Sequence, residues 1–249
     1  MPSRLLVAET GIVPVCETER LMEAAKTQRE AGDIDDMLLI LAHPKTVAAG
    51  LKDRNALHPK DLLVPLERLE AEGIDFVRSV RGGGITYHWP GQVVCYPVMA
   101  LDGRDRNIPE FMHKLEQTAI DVLAEFGISA ARRRDTPSHI GLWHQDRKIV
   151  SMGIRISKWI TSFGFAVNHS GDYSPSKYVR PCGIEGLRLI TMEDVLGEAP
   201  PRAQVADAVK THFARVFGRV YRAMPSEDLT RLLIPSRFPK DNTKSLSEK

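Results

Sequence analysis

The chain has 249 residues, 43% of them hydrophobic, with 34 Lys plus Arg against 32 Asp plus Glu and a formal net charge of +2. That supplies a full core for one α/β domain, with a charge too balanced for a nucleic-acid platform or a polybasic membrane anchor. The opening MPSRLLVAETG has no apolar run of signal-peptide length, no stretch is long enough to span a bilayer, and three cysteines without a CxxC pair suit a reducing cytoplasm.

ETERLMEAAKTQREAG, behind a threonine cap candidate and closed by Gly32, predicts a first helix with Leu21, Ala24 and Ala25 on one side. MLLILAH, an apolar run ended by Pro44, predicts a strand, as do DFVRSV and QVVCYPVM. PEFMHKLEQTAIDVLAEFG opens with Pro109 and closes with Gly127, and its buried stripe is Phe111, Leu115, Ala119, Val122, Leu123 and Phe126. Strands follow at KIVSMGIRI and WITSFGFAV, then a loop, NHSGDYSPSKYVRPCGIEG, a helix at RAQVADAVKTHFARVFG and a short strand at VYRAM. Such switching of period is that of a mixed α/β chain. No linker or internal repeat divides it, so a single domain is expected over 1–249, with a polar, frayed tail at about 240–249.

Three segments carry chemistry. In RSVRGGGITYHWPGQVV, Gly82, Gly83 and Gly84 lie between two strands, where consecutive glycines let the backbone approach a ligand and turn several N–H groups onto one oxygen. The segment has no GKS or GKT ending and no following helix, which argues against a phosphate loop; a glycine-rich hairpin fits the glycines equally well. In VRPCGIEG, Cys182 sits between Pro181 and Gly183 with Arg180 nearby, a setting that favours a thiolate, whereas Cys95 in VVCYPV reads as a buried small hydrophobe. In DRKIVSMGIRI, alternation puts Lys148 on one face with Val150, Met152, Ile154 and Ile156. An apolar surround lowers the pKa of a lysine and makes it a base, while arginine keeps its proton; the alternative is a strand-end lysine that snorkels into water.

Taken together, RGGGITYHWPGQVVCYPV, KIVSMGIRI, FGFAVN and RPCGIEG resemble the lipoyl(octanoyl) transferase family, the lipoate-protein ligase B type, in order and spacing over about residues 75–190. The resemblance implies the catalytic-domain fold of biotin and lipoate protein ligases, a mixed sheet flanked by helices. It implies transfer of an octanoyl group from octanoyl-acyl carrier protein to a lysine of a lipoyl domain, in 2-oxoacid dehydrogenase complexes or the glycine cleavage H protein. The nucleophile that forms the thioester maps onto Cys182 and its dyad lysine onto Lys148. The substrate-binding segments map onto Arg81, Gly82, Gly83, Gly84, Ile85, Thr86, Tyr87 and His88, onto Ser151, Met152 and Gly153, and onto Gly164, Phe165 and Ala166. No metal, nucleotide or other cofactor is implied, because the donor arrives activated, and neither nucleic acid nor membrane is an expected partner.

The chain departs from the family pattern at Gly84, which replaces a larger polar residue, at Trp89, which replaces a glycine and adds bulk near the expected acyl passage, and at Phe163, which replaces a histidine. In WITSFGFAVN one parity holds Trp159, Thr161, Phe163, Phe165 and Val167 and the other Ile160, Ser162, Gly164, Ala166 and Asn168. The bare second face leaves room for a chain of methylenes, each worth about 0.8 kcal/mol on burial, or for ordinary close packing. Arg132 to Arg134 form a candidate docking patch for an acidic carrier protein. Two other readings stay open, an ATP-dependent lipoate or biotin ligase and a non-catalytic acyl-binding homologue.

Overall fold

A computed structural model describes residues 3–229 except 54, 57, 134–139, 226 and 227, and only the backbone of Arg104 and Cys182. The elements run β1 (Ser3–Ile12), α1 (Val15–Ala31), β2 (Asp36–Ala42), β3 (Thr46–Ala49), α2 (Leu66–Ala71), β4 (Asp75–Arg78), β5 (Ile85–His88) and β6 (Gln92–Val98). They continue with α3 (Ile108–Glu125), β7 (Ala131–Arg132), β8 (Gly141–His144), β9 (Arg147–Ser157), β10 (Ile160–Asn168), α4 (Met192–Leu196), α5 (Arg202–Phe217) and β11 (Arg219–Ala223).

Eight strands form one mixed sheet in the order β11-β1-β2-β6-β10-β9-β8-β7, with β1 parallel to both β11 and β2 and the other pairs antiparallel. Helices cover both faces. The stripe of α3 packs with Val205, Val209 and Phe213 of α5 over Val93, Val150 and Phe165, while Leu21, Met22 and Ala25 of α1 pack over Leu39, Leu41 and Val94. β2 is therefore buried along its whole length, and its sequence shows a continuous apolar run instead of alternation. Three further strands, β4-β3-β5, form a small sheet whose own core includes Val47, Leu69, Ile85 and Tyr178. The mixed α/β architecture expected from sequence is the one found.

Local chemistry sets the helix ends. α1 stops at Gly32, whose φ of 78° is left-handed. It begins at Pro14 without a side-chain cap, so the expected threonine cap is not used; the Thr18 hydroxyl donates back to the Pro14 carbonyl at 3.1 Å. α3 is capped by Asn107, which accepts from the Glu110 N–H at 3.1 Å. β1 escapes the sequence pattern because its four buried residues, Leu5–Ala8, are consecutive and its ends are exposed. The polar tail at 240–249 lies outside the described residues. Among the described residues no helix is long and apolar enough to cross a membrane.

Candidate active site

The site is built where β9 begins. Trp143 of β8 pairs with Lys148 and Leu142 pairs with Val150, so Ile149 is the extra residue of a β-bulge. Ile149 and Val150 both enter the α3–α5 core with Leu142. Lys148 is thereby carried to the opposite face, onto the side of Trp143 and Gly141: its Nζ lies 5.7 Å from the Trp143 ring centre, and a Cβ on Gly141 would meet its Cε at 2.7 Å. The lysine is 1% exposed. Burial is as expected, but the face is not: strict alternation groups Lys148 with Val150, and the bulge groups it with Ser151.

That shift matters because Ser151 lines a cleft. Arg81, Ile85, Thr86, His88, Ser151, Met152, Gly153, Gly164, Phe165 and Ala166 come together around about 420 Å³ of space including its open mouth, joined by Tyr96 and Pro181, which sequence reasoning did not single out. Gly83, Gly84 and Gly183 line an adjoining cavity that shares Arg81 and Met152 with the first. The backbone of Cys182, in a short 3₁₀ turn, thus lies between a residue of one cavity and a residue of the other.

The glycine loop is held through its carbonyls. Carbonyls of Arg81, Gly83 and Gly84 accept from the N–H groups of Leu51, Lys52 and Gly50, and the Arg81 guanidinium donates to the carbonyls of Gly82 and Gly84 at 2.7 Å each. Among the described residues the amides of Gly82, Gly83 and Gly84 donate to none. Gly82 itself lines neither cavity; it passes so close to β9 that a Cβ would sit 2.5 Å from the Ile154 carbonyl. Gly153 lies under the Arg81 side chain, whose Nη1 a Cβ there would meet at 2.9 Å. Tyr87 is the one expected substrate contact that turns fully away: it is buried in the small-sheet core and stacks on Trp89, ring centres 5.8 Å apart.

A buried polar chain runs from the cleft wall to the lysine strand. His88 Nδ1 contacts Gln92 Oε1 at 2.8 Å, Gln92 Nε2 donates to Asn168 Oδ1 at 3.1 Å, and Asn168 Nδ2 donates to the carbonyls of Lys148 and Ile190, both at 3.1 Å. Beside it His43 bridges the Val13 carbonyl and the Tyr96 hydroxyl, with its ring 5.0 Å from that of His88. Burial holds both imidazoles neutral. It pushes His43 down to about 4 against the pull of the Val13 carbonyl, and His88 down to about 3, helped by the charge of His43. Burial likewise raises the Cys95 thiol, which sits in the core as the strand pattern predicts, while Cys16 is exposed.

Residues 17–214 match the lipoyl protein ligase A/B catalytic domain. The chain belongs to that family. An octanoyltransferase of Solibacter usitatus is 36% identical over 209 residues, 84% of this chain and 91% of that one; an octanoyltransferase of Desulforamulus reducens is 32% identical over 215 residues, 86% and 91%. The bi-partite lipoate protein ligase of Thermoplasma acidophilum has the same fold, with a TM-score of 0.68 at 18% identity over 94% of this chain and 91% of that one.

Within this lipoyl protein ligase A/B domain, two departures from pattern lie away from the cleft. Trp89, expected near the acyl passage, is 1% exposed in the small-sheet core and donates from Nε1 to the Ser170 carbonyl at 2.8 Å. Phe163 has a left-handed φ of 59°. That torsion sends its ring to the α1 side, edge-on to Tyr96 at 5.6 Å, and breaks the expected grouping with Phe165 and Val167, which stay on the α3–α5 side. Nor is the bare face of β10 simply free space: a Cβ on Gly164 would collide with the Cys95 carbonyl of β6, so that glycine serves close strand packing. The arginine run is also largely spent. Arg132 pairs with the buried Glu116 at 2.8 Å, Arg133 stacks over Trp143 at 4.5 Å and donates to the Gln145 carbonyl, and Arg134 lies outside the described residues.

Proposed function

We propose that this enzyme is an octanoyltransferase of protein lipoylation that uses a thioester on Cys182. The observation that carries the reading is convergence: Arg81, Ile85, Thr86 and His88, with segments 151–153 and 164–166, distant in sequence, wall one cleft beside Pro181, and the bulge puts Lys148 on the face of Ser151. The donor is an octanoyl-acyl carrier protein and the acceptor a lysine of a lipoyl domain, in a 2-oxoacid dehydrogenase complex or the glycine cleavage H protein. The thioester carbonyl enters from the side of the glycine loop and the acyl chain lies in the apolar cleft.

Lys148 takes the proton of Cys182, and the thiolate attacks the octanoyl carbonyl. The tetrahedral oxyanion accepts from the loop amides of residues 82–84, which donate to no other group among the described residues. Collapse expels the pantetheine thiolate, which recovers a proton from Lys148, and leaves the acyl group on sulfur. The acceptor amine then attacks this thioester, Lys148 removes the amine's proton, and the Cys182 thiolate leaves as the amide forms. Thioester to thioester to amide runs downhill, so no nucleotide is consumed. A reducing cytoplasm keeps the thiol available.

Mixing the enzyme with octanoyl-acyl carrier protein without ATP tests this by intact mass. One octanoyl adduct is expected, mapping to Cys182 and discharged by a lipoyl domain; Cys182→Ala abolishes it and Cys95→Ala does not. An adduct that survives in Cys182→Ala, or transfer that requires ATP and free octanoate, overturns the reading.

A further inference from the structure

The strap that bears Cys182 is pinned on both sides. Upstream, Leu62 bridges Val179, the Arg180 N–H donates to the Asp61 carbonyl at 2.7 Å, and the Arg180 guanidinium meets the Asp61 carboxylate at 3.3 Å. Downstream the pin is Lys148 itself: its N–H donates to the Arg188 carbonyl at 2.8 Å and its carbonyl accepts from Ile190 at 3.1 Å, a single parallel bridge centred on Leu189. One bridge is a short ladder on which to register a nucleophile's strap.

Asn168, the last residue of β10 and fully buried, reinforces that bridge from a third chain segment. Both N–H bonds of one amide are used, one on the Lys148 carbonyl and one on the Ile190 carbonyl. With two carbonyls facing it, that amide terminus must be the NH₂, which leaves Oδ1 to accept from Gln92 Nε2. Gln92 Oε1 is then an acceptor, so His88 Nδ1 carries the proton and its Nε2 is a lone-pair acceptor in the cleft wall. Every amide orientation in the chain follows from the two carbonyls at its end.

We infer that Asn168 is a positioning residue: it clamps the backbone of Lys148 to the strap leaving Cys182 and so fixes the distance between base and nucleophile. A buried amide that satisfies two otherwise separate segments costs little to keep and much to lose, because its removal leaves both carbonyls one partner short in a dry site. Gln92 and His88 hold the amide in orientation from the cleft side. The inference rests on the Cys182–Lys148 reading, and it assigns to Asn168 no contact with substrate.

The test compares wild type with Asn168→Ala, Gln92→Leu and, as a control for lost hydrogen bonding elsewhere, Asn107→Ala at the cap of α3. Three readouts are taken: alkylation of Cys182 by iodoacetamide against pH, mapped by peptide mass so that exposed Cys16 does not interfere; kcat and KM for the octanoyl donor; and the unfolding midpoint. Asn168→Ala is expected to shift the alkylation profile to higher pH and to lower kcat about 10²-fold, the cost of about an ångström of misplacement, with KM little changed. Gln92→Leu gives a smaller shift of the same sign, and it alone decides if Asn168→Ala does not fold. Asn107→Ala lowers the midpoint only. Alkylation profiles that superimpose on wild type, with no greater loss of kcat than in Asn107→Ala, overturn the inference while a wild-type Cys182 adduct keeps the transferase reading intact. Absence of that adduct in wild type removes both.

Discussion

β9 and β10 are neighbouring strands with eight paired positions between them, and each breaks alternation once, in opposite ways. In β9 the extra residue Ile149 stays in the core and the lysine before it changes face, to the side of Ser151. In β10 no residue is added to the pairing; Phe163 adopts a left-handed backbone and swings its ring away from the side of its parity partners. One irregularity delivers a proton-transfer group to the place where chemistry is proposed. The other only redistributes apolar volume. Local breaks in period are therefore where a pattern reading loses a side chain's direction, and the functional weight of such a break depends on what the displaced residue can do.

The sharpest way to break this contrast is to change the lysine. Lys148→Met keeps the apolar stem beside Trp143 and removes the proton-exchanging group, so transfer is expected to fall about 10²- to 10⁴-fold, the usual worth of a positioned acid–base group. The unfolding midpoint should change little by comparison, because methionine refills the buried volume beside Trp143. Lys148→Arg keeps a cation but no exchangeable proton near neutral pH, and aminolysis of the acyl-enzyme should fail in it as well. Near-normal rates of lipoyl-domain octanoylation by Lys148→Arg would show the bulge to be structurally, not chemically, important.

At β10 the expected loss is in stability. Phe163→Ala should cost about 3 kcal/mol or more for a truncated buried aromatic, with the ratio of rates across acyl donors unchanged. Phe163→Gly should cost less than Phe163→Ala, by about 1 kcal/mol, because glycine alone occupies a left-handed φ without penalty. Chemical denaturation of the two variants checks the order; alanine proving the milder replacement would mean that the left-handed backbone is not what places the ring.

This pair of strands also shows what the amino-acid order carries and what it withholds. The segments of the candidate site were legible because glycine, cysteine and lysine stand in a short, ordered pattern, and ten of the residues so marked do wall one cleft. Helices α3 and α5 were legible because each has one apolar stripe and a glycine or proline at an end. β1 and the face of Lys148 were not, since a run of consecutive buried residues and a one-residue bulge both erase the period of two. Tyr87 and Trp89 misled for another reason: in β5 and the turn after it, neighbouring residues belong alternately to the cleft and to a separate small core. Gln92 and Asn168 fall inside the quoted motifs, but nothing in the order of residues foretold their role, because with His43 they join segments distant in the chain through hydrogen bonds.

A third test asks whether the polar chain beside β9 is held by neutral groups. The values of His43 and His88, about 4 and about 3, lie below the ordinary 6.5. As pH falls below 6.5 the unfolded chain therefore takes up protons that the folded one refuses. Stability contributed by the two neutral rings is complete above that pH and is lost on acidification toward 4, by at most about 1.4 kcal/mol per pH unit for each ring. Between pH 6.5 and 5, before most carboxylates titrate, wild type should lose stability more steeply than His43→Gln. Equal slopes would mean that His43 takes up its proton without unfolding.

The smallest expected effect lies just beyond the end of β10, where Trp89 donates to the Ser170 carbonyl. Trp89→Phe keeps a ring against Tyr87 and Tyr173 but loses that bond, at a cost of about 1 kcal/mol, somewhat more if the carbonyl stays dry. Since Trp89 lies in the small-sheet core and not among the residues of the cleft, its replacement should scale the rates for hexanoyl, octanoyl and decanoyl donors alike. Competition between these donors for one lipoyl domain measures the ratio directly and is insensitive to the amount of folded enzyme. A changed ratio would place the indole on the acyl path after all; it would mean that the aromatic layer around β5, and not the displaced residue of β9 alone, shapes what the cleft accepts.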